Sequence, residues 1–227
     1  MFEFRFYEIW RSGEYLETLF YGILTSFWLT VVGSIIGFAM GIVLALAQAK
    51  NVNVFIRYTV VSYIEFVRNT PFIVQLFFVV FGLPLLLNYH WSLQNSALLA
   101  IVLNFSAYFG EVTRAGIEAV SKGQTEGAYS LGMTKRQTIL DVILPQALAN
   151  VYPSLTSQFV FLFLTTGLIS EVGVQDLTWA GRFVADRTFR DFEVFIVLTI
   201  LYMLMVYFFM GVMALIKRMV FPWWGLR

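Results

Sequence analysis

The chain has 227 residues, of which 59% are hydrophobic, 18% aromatic and only 13% charged, with a formal net charge of +1. Soluble domains carry about 25% charged residues, so this composition is that of an integral membrane protein. The absence of cysteine and the presence of one histidine exclude disulfides and zinc-thiolate sites, and no basic run suggests nucleic acid.

In chain order, Met1 to Arg11 mixes Glu3, Arg5, Glu8 and Arg11 with aromatics. It lacks the basic start and small-residue cleavage site of a signal peptide, so the first span is expected to stay as an anchor. Five stretches are long and apolar enough to cross a bilayer, at about 20 residues each: Leu19–Ala47, Pro71–Leu87, Ser96–Ile117, Ala147–Ile169 and Val194–Ile216. The half-apolar piece Val54–Val67 either lies at the interface or extends the second span. Gly33, Gly37 and Gly41 place small residues on one face of span one, where another helix can approach closely. Trp223 and Trp224 after Pro222 suit an interfacial anchor.

Positive charge orients the spans. With the N-terminus outside, ten basic residues face the cytoplasm (Lys50, Arg57, Arg68, Arg114, Lys122, Lys135, Arg136, Lys217, Arg218, Arg227) and five face out (Arg5, Arg11, Arg182, Arg187, Arg190). The fold class is therefore all-α, with about five transmembrane helices, N-out and C-in. There is no internal repeat or long linker, so one domain is expected.

This orientation puts the polar stretch Gly123–Pro145, between spans three and four, in the cytoplasm. Glu126–Leu131 can form a turn and a half of helix, and Gly132 can take the left-handed conformation that ends it. Thr134 followed by Gln137 fits a capping box, so a second helix starts there and runs toward Pro145. A folded hairpin outside the membrane is a handle for something else.

No nucleophile elbow, HExxH or phosphate loop occurs, so neither catalysis nor a metal site is expected in this chain. Polar residues within spans are the other candidates. Glu65 with Arg68, and Glu111 with Arg114, can pair along a helix face and fix orientation, or contact a ligand. Asn69-Thr70-Pro71 interrupts the entrance to span two, with Gln75 one turn on. Gln158, Thr165 and Thr166 put a polar stripe on span four, which reads equally as a path lining and as interhelical glue. Glu171 at the outer end of span four is a surface carboxylate or a gate.

Four ordered motifs resemble the permease subunits of bacterial ABC importers, and among them those for polar amino acids. The coupling-loop pattern EAA, three residues, G, nine residues, I-x-L-P appears as Glu126-Gly127-Ala128, Gly132 and Val142-x-Leu144-Pro145, with Gly127 for alanine and Val142 for isoleucine. Arg68-Asn-Thr-Pro-Phe-Ile-Val-Gln75 is similar to the family's R-G-T-P-L-L-V-Q. Ser106-Ala-Tyr-Phe-Gly-Glu-Val-Thr-Arg-Ala-Gly-Ile117 is similar to S-A-Y-x-x-E-x-x-R-x-G-I. Gly123-Gln124 and Pro145-Gln146-Ala147 match the borders of the loop.

The resemblance implies a type I importer fold, with residues 1–18 as a periplasmic segment, 19–217 as the transmembrane domain with its coupling loop at 123–145, and 218–227 as a cytoplasmic tail. It implies that Glu126, Gly127, Ala128, Gly132, Leu144 and Pro145 dock on a separate ATPase dimer that binds ATP and Mg, this chain holding no cofactor. A second permease subunit, the same or paralogous, and a periplasmic or surface amino-acid-binding protein would complete the system in the bacterial inner membrane. Arg68, Asn69, Thr70, Gln75, Gln158, Thr165, Thr166 and Glu171 are the path candidates. The alternative is a stand-alone channel or secondary carrier for a small polar solute. The family's K-D-T-S-L run in span four is Leu164-Thr165-Thr166-Gly167-Leu168 here. Without the charged pair, the substrate is expected to be neutral or acidic, or a paralogous subunit to recognise the charge.

Overall fold

A computed structural model describes residues 4–49, 52–88 and 90–222, and among them every regular element is helical. The short α1 (Tyr7–Trp10) precedes α2 (Gly13–Ala47). At 1.5 Å per residue the 35 residues of α2 reach about 52 Å, well beyond the ~30 Å of bilayer hydrocarbon. After α3 (Val54–Arg68) the chain breaks. It resumes as α4 (Phe72–Phe77), a π turn (Phe78–Gly82) and α5 (Leu83–Leu87). Then come α6 (Leu93–Glu118), α7 (Lys122–Ser130) and α8 (Lys135–Gln137), followed by a second π turn (Thr138–Ile143) and α9 (Leu144–Asn150). The fold closes with α10 (Tyr152–Thr165), which tightens to 3₁₀ over Thr166–Val172, then α11 (Leu177–Thr188) and α12 (Asp191–Val220).

Four of these helices are long and apolar enough to cross a membrane alone, and Val54–Arg68 with Phe72–Leu87 pass that test only as a pair with a break between them. The break between the pair has a local cause. Asn69 leaves the helical region at φ −99° and ψ 6°, and the Pro71 ring disfavours the α conformation at Thr70. Val54–Val67 is thus a helix of its own, set apart from Phe72–Leu87 by this break. Helix α6 is the most buried span (67%) and α12 the least (17%).

Two expected boundaries are corrected. The second hairpin helix does not end near Pro145 but continues to Asn150, and span four starts anew at Tyr152 after a break at Val151. Pro84 and Pro145 lie within a continuing run of helix and a π turn comes just before each, whereas Pro153 lies in the first turn of α10, where its missing N–H costs nothing. Proline lacks the amide hydrogen and its ring crowds the carbonyl four residues back, so a locally widened turn lets the helix continue. Helix α11, between spans four and five, has no counterpart among the expected elements. Trp223 and Trp224 lie outside the described residues.

The chain divides into two compact units. The first comprises Met1–Ile35, Pro71–Val102 and Phe159–Gly211. In it, Ile9, Leu19, Leu177, Ala180, Val184, Val194 and Leu198 form a core that binds α11 to α2 and α12. A Cβ on Gly33 would stand 2.8 Å from Ile101, so α2 touches α6 there closely. The second unit comprises Ile36–Thr70, Leu103–Gln158 and Val212–Arg227. There a Cβ on Gly41 would meet Phe109 at 2.6 Å and the Gly110 amide nitrogen at 2.9 Å. The glycine stripe of span one is a packing seam against α6.

Candidate functional site

The polar hairpin is built by rules that act over a few residues. Helix α7 ends at Leu131, and Gly132 turns left-handed at φ +76°. The Gly132 N–H bonds the Tyr129 carbonyl at 2.9 Å and the Met133 N–H bonds the Ala128 carbonyl at 3.1 Å. This crossed pair satisfies carbonyls that a helix end otherwise leaves open, as in a Schellman cap. Thr134 then caps α8: the Gln137 N–H donates to its Oγ1 at 3.4 Å, and the Thr134 N–H donates to Gln137 Oε1 at 2.9 Å. Both the turn at Gly132 and the capping box stand where the sequence places them. The first helix is longer than expected, beginning at Lys122 rather than Glu126.

Helix α7 packs on the π turn Thr138–Ile143, with Ala128 and Thr138 buried. Gln146 ties the limbs by donating to Gln124 Oε1 at 3.2 Å and to the Val142 carbonyl at 2.9 Å. Glu126, Gly127 and Gly132 are exposed, and Leu144 and Pro145 are half-buried. On this polar hairpin Tyr129 and Leu131 present apolar side chains outward, at 50% and 84% exposure. The result is a rigid polar handle with an apolar tip.

The run Ser106–Ile117 of span three packs against α3 and carries its own ion pairs. Tyr63 donates its hydroxyl to the Leu103 carbonyl at 2.7 Å and shares a bond with Ser106 Oγ at 3.0 Å. The Arg68 guanidinium lies over the Tyr108 ring, 5.9 Å from its centroid. Arg114 grips Glu111 through two parallel bonds of 2.6 and 3.0 Å and reaches Glu118 at 2.6 Å. The Glu111–Arg114 pair forms as the spacing suggests. Glu65 instead accepts from Asn69 Nδ2 at 3.0 Å, while Arg68 turns to Tyr108.

The path candidates fall in both compact units. Asn69 and Thr70 satisfy the end of α3: Asn69 Nδ2 donates to the Glu65 carbonyl at 2.7 Å and Thr70 Oγ1 to the Phe66 carbonyl at 2.9 Å. Gln75 is half-buried on α4. Thr165 and Thr166 are buried, and their hydroxyls bond back to Phe161 at 2.8 Å and Phe163 at 2.7 Å. Those bonds satisfy both hydroxyl protons within their own helix. Gln158 keeps a buried Oε1 without a hydrogen-bond partner, so among the span-four polar residues it is the one with an open polar atom. Glu171 forms an ion pair with Arg182 of α11, and Arg182 also reaches Ser170 Oγ at 3.4 Å.

A polar cluster that sequence reasoning passed over lies at the start of α11. Asp176 is fully buried, and its Oδ1 accepts the Trp179 N–H at 2.9 Å. Its Oδ2 has no hydrogen-bond partner. The hydroxyls of Tyr202 and Thr178, 2.8 Å apart, stand beside it, and Ser26 Oγ takes the Leu177 N–H at 3.1 Å. Burial pushes the Asp176 carboxyl up to about 7 against the opposing pull of the Trp179 and Thr178 amides. The signal for α11 was present: Leu177, Ala180, Gly181, Val184 and Ala185 follow the capping Asp176 at helical spacing. Among the described residues, no three His, Cys, Asp or Glu side chains converge as a metal site would need.

Long apolar helices, with a folded polar hairpin between the third and fourth spans, define a membrane-spanning protein. The family of inner membrane components of binding-protein-dependent transport systems matches residues 37–221. The chain belongs to that family and is the permease subunit of an ABC importer. The L-cystine transport system permease protein TcyL of Bacillus subtilis (strain 168) is 31% identical over 196 residues, covering 84% of this chain and 82% of the relative. The arginine transport system permease protein ArtQ of the same organism is 32% identical over 185 residues, covering 82% and 84%. A crystal structure of an amino acid ABC transporter with histidines aligns at a TM-score of 0.83 and 31% identity, covering 96% of this chain and 99% of the other. An inward-facing MetNI methionine ABC transporter aligns at 0.78 and 20% identity over 92% and 99%, which shows the same fold.

Proposed function

We propose that this permease serves ATP-driven amino-acid uptake in a bacterial inner membrane, with the hairpin Lys122–Asn150 as the part held by a separate ATPase dimer. The observation that carries the coupling role is the hairpin's construction. Two capped helices, fixed by the Gly132 turn and the Thr134 box and cross-tied by Gln146, present Tyr129 and Leu131 at the tip. Such a body moves as a unit when its holder moves. Glu126, Gly127, Ala128, Gly132, Leu144 and Pro145 are the contact and framing residues.

ATP and Mg belong to the partner chain, and this subunit performs no bond chemistry. Its task is to change the exposure of a path that it forms with a second permease, fed from outside by a binding protein. A ligand-driven change of this kind rests on contacts that differ between two states. The amino-acid assignment rests on relatives named for cystine and arginine transport and on the solved amino-acid transporter. The Leu164–Leu168 stretch carries no charge, so recognition of a charged side chain is assigned to a paralogous partner subunit, and the partially buried Gln158 is the strongest path residue in this chain.

The test is reconstitution with its co-purifying ATPase and binding protein, followed by uptake of labelled amino acids at fixed internal ATP. Uptake should need all components, and Gly132→Pro should abolish it while the protein still inserts. Gradient-driven uptake by this chain alone would overturn the reading in favour of a channel or secondary carrier.

A further inference from the structure

The segment before α2 carries more exposed aromatic surface than its length explains. Phe4, Phe6, Tyr7 and Trp10 are 57%, 36%, 59% and 48% exposed, while Ile9 between them is fully buried in the core formed with Leu177, Val184 and Val194. The segment is fastened at a second point. The Arg5 N–H donates to Glu193 Oε1 at 3.2 Å, and Glu193, 2% exposed, is also 3.6 Å from the Arg190 guanidinium. The exposed rings are therefore held in place and face outward.

Their arrangement has a direction. Phe6 through Arg11 have helical backbone angles, and successive helical residues advance by about 100°. Phe6, Trp10 and Tyr7 thus fill one arc, Ile9 borders it on the protein side, and Glu8 and Arg11, paired at 3.1 Å, border it on the other. A short helix with one aromatic face, one charged edge and one anchored edge is built for a boundary between water and hydrocarbon. Phe4 continues the arc: its ring stacks on Phe6 at 6.1 Å and on Phe192 at 5.8 Å. Phe192 in turn opens an exposed, largely apolar face of α12 that continues through Phe195 and Ile200. Helix α12 is the least buried of the four helices that can span alone, so through Phe4 and Phe192 the aromatic patch continues into an exposed apolar flank.

We propose that Phe4–Trp10 is a lipid anchor, its aromatic arc seated at the headgroup–acyl boundary of the leaflet where α2 begins. Rings of this kind partition to that layer. Ile9 and Glu193 transmit the hold to α11 and α12, so lipid contact fixes the outer ends of these helices.

The native chain has no cysteine, so single-cysteine variants need no altered background. Tyr7→Cys, Trp10→Cys, Glu8→Cys and Arg11→Cys would each be spin-labelled in the complete transporter in nanodiscs of phosphatidylcholine and phosphatidylglycerol. Collision with membrane-partitioning oxygen is then compared with collision with a water-soluble nickel chelate. Labels at 7 and 10 should favour oxygen several-fold over the chelate, and the label at 11 the reverse. Equal chelate access at 7 and 11 would place the arc in water. Shielding of 7 and 10 from both reagents would place it under another protein. Either result overturns the proposal, and Tyr7→Cys decides alone if Trp10→Cys fails to assemble.

Discussion

A Cβ on Gly116 would stand 2.6 Å from the carbonyl oxygen of Ala147. Helix α6, which leads into the hairpin, and α9, the hairpin's last helix, therefore touch backbone to backbone. Backbone cannot swing aside as a side chain can, and the Val151 methyls close the other side at 3.1 Å. Gly116→Ala should push the two limbs apart at a cost of about 1–3 kcal/mol. A melting temperature lowered by several degrees, together with loss of transport-coupled ATP hydrolysis, is the expected result. An unchanged melting curve would show that the contact yields easily.

Two glycines of the hairpin should respond in opposite ways. Gly127 is an exposed helix residue with open space where a Cβ would go. Gly127→Ala should stabilise the hairpin by about 0.5–1 kcal/mol, since glycine loses more backbone freedom than alanine in a helix. Gly132 also has open space, but its φ of +76° is unfavourable to any side chain. Gly132→Ala should cost about 1–2 kcal/mol. Amide hydrogen exchange across Lys122–Gln137 separates the pair: slower in the first variant, faster in the second.

The hairpin was legible from the sequence because its rules are local. A glycine at a helix end and a threonine three residues before a glutamine act over distances the sequence displays directly. Helix α11 escaped notice because Trp179, Arg182, Asp186 and Arg187 make it too polar to read as a span, although its apolar spacing is regular. The stripe at Gln158 and Thr165 shows a different limit. A threonine hydroxyl in a helix can bond its own carbonyl four residues back, and Thr165 does so. Periodicity places such a residue on a face but does not say whether its polar atom remains open. The π turns before Pro84 and Pro145 were hidden for a related reason: proline signals a break, and only the backbone shows that a wider turn absorbs it.

Glu171 and Arg182 link the end of span four to α11, with side chains 43% and 44% exposed. Pairs this open to water contribute about 0.2–1 kcal/mol. Glu171→Arg should lower the melting temperature slightly by setting two cations together, and the double exchange Glu171→Arg with Arg182→Glu should recover most of the loss. If the double variant is no better than the single, the pair is not what holds α11 there. Uptake measured on the same variants tests Glu171 separately as a gate, since a gate responds to the identity of the residue as well as to pairing.

Asp176 makes the stability of the outer end depend on pH, and the sign follows from its surroundings. Its neighbours Ser26, Thr178 and Tyr202 contribute hydroxyls, and Oδ2 is without a partner, so burial dominates and the carboxyl is raised from 3.8 to about 7. The folded chain thus holds the proton more tightly than the unfolded chain. This group's contribution to stability is greatest below about pH 4, declines as pH rises, and is fully lost above about 7. The displacement corresponds to about 4 kcal/mol as an order of magnitude. Wild-type melting temperature should therefore fall between about pH 4 and 7 and level off above that. Asp176→Asn keeps an oxygen to cap the Trp179 N–H and adds a donor for the nearby hydroxyls, without a charge to bury. The variant should melt at a higher temperature than wild type at pH 8, and its profile should lose this part of the slope. Parallel profiles for the two proteins would assign the pH response to another group.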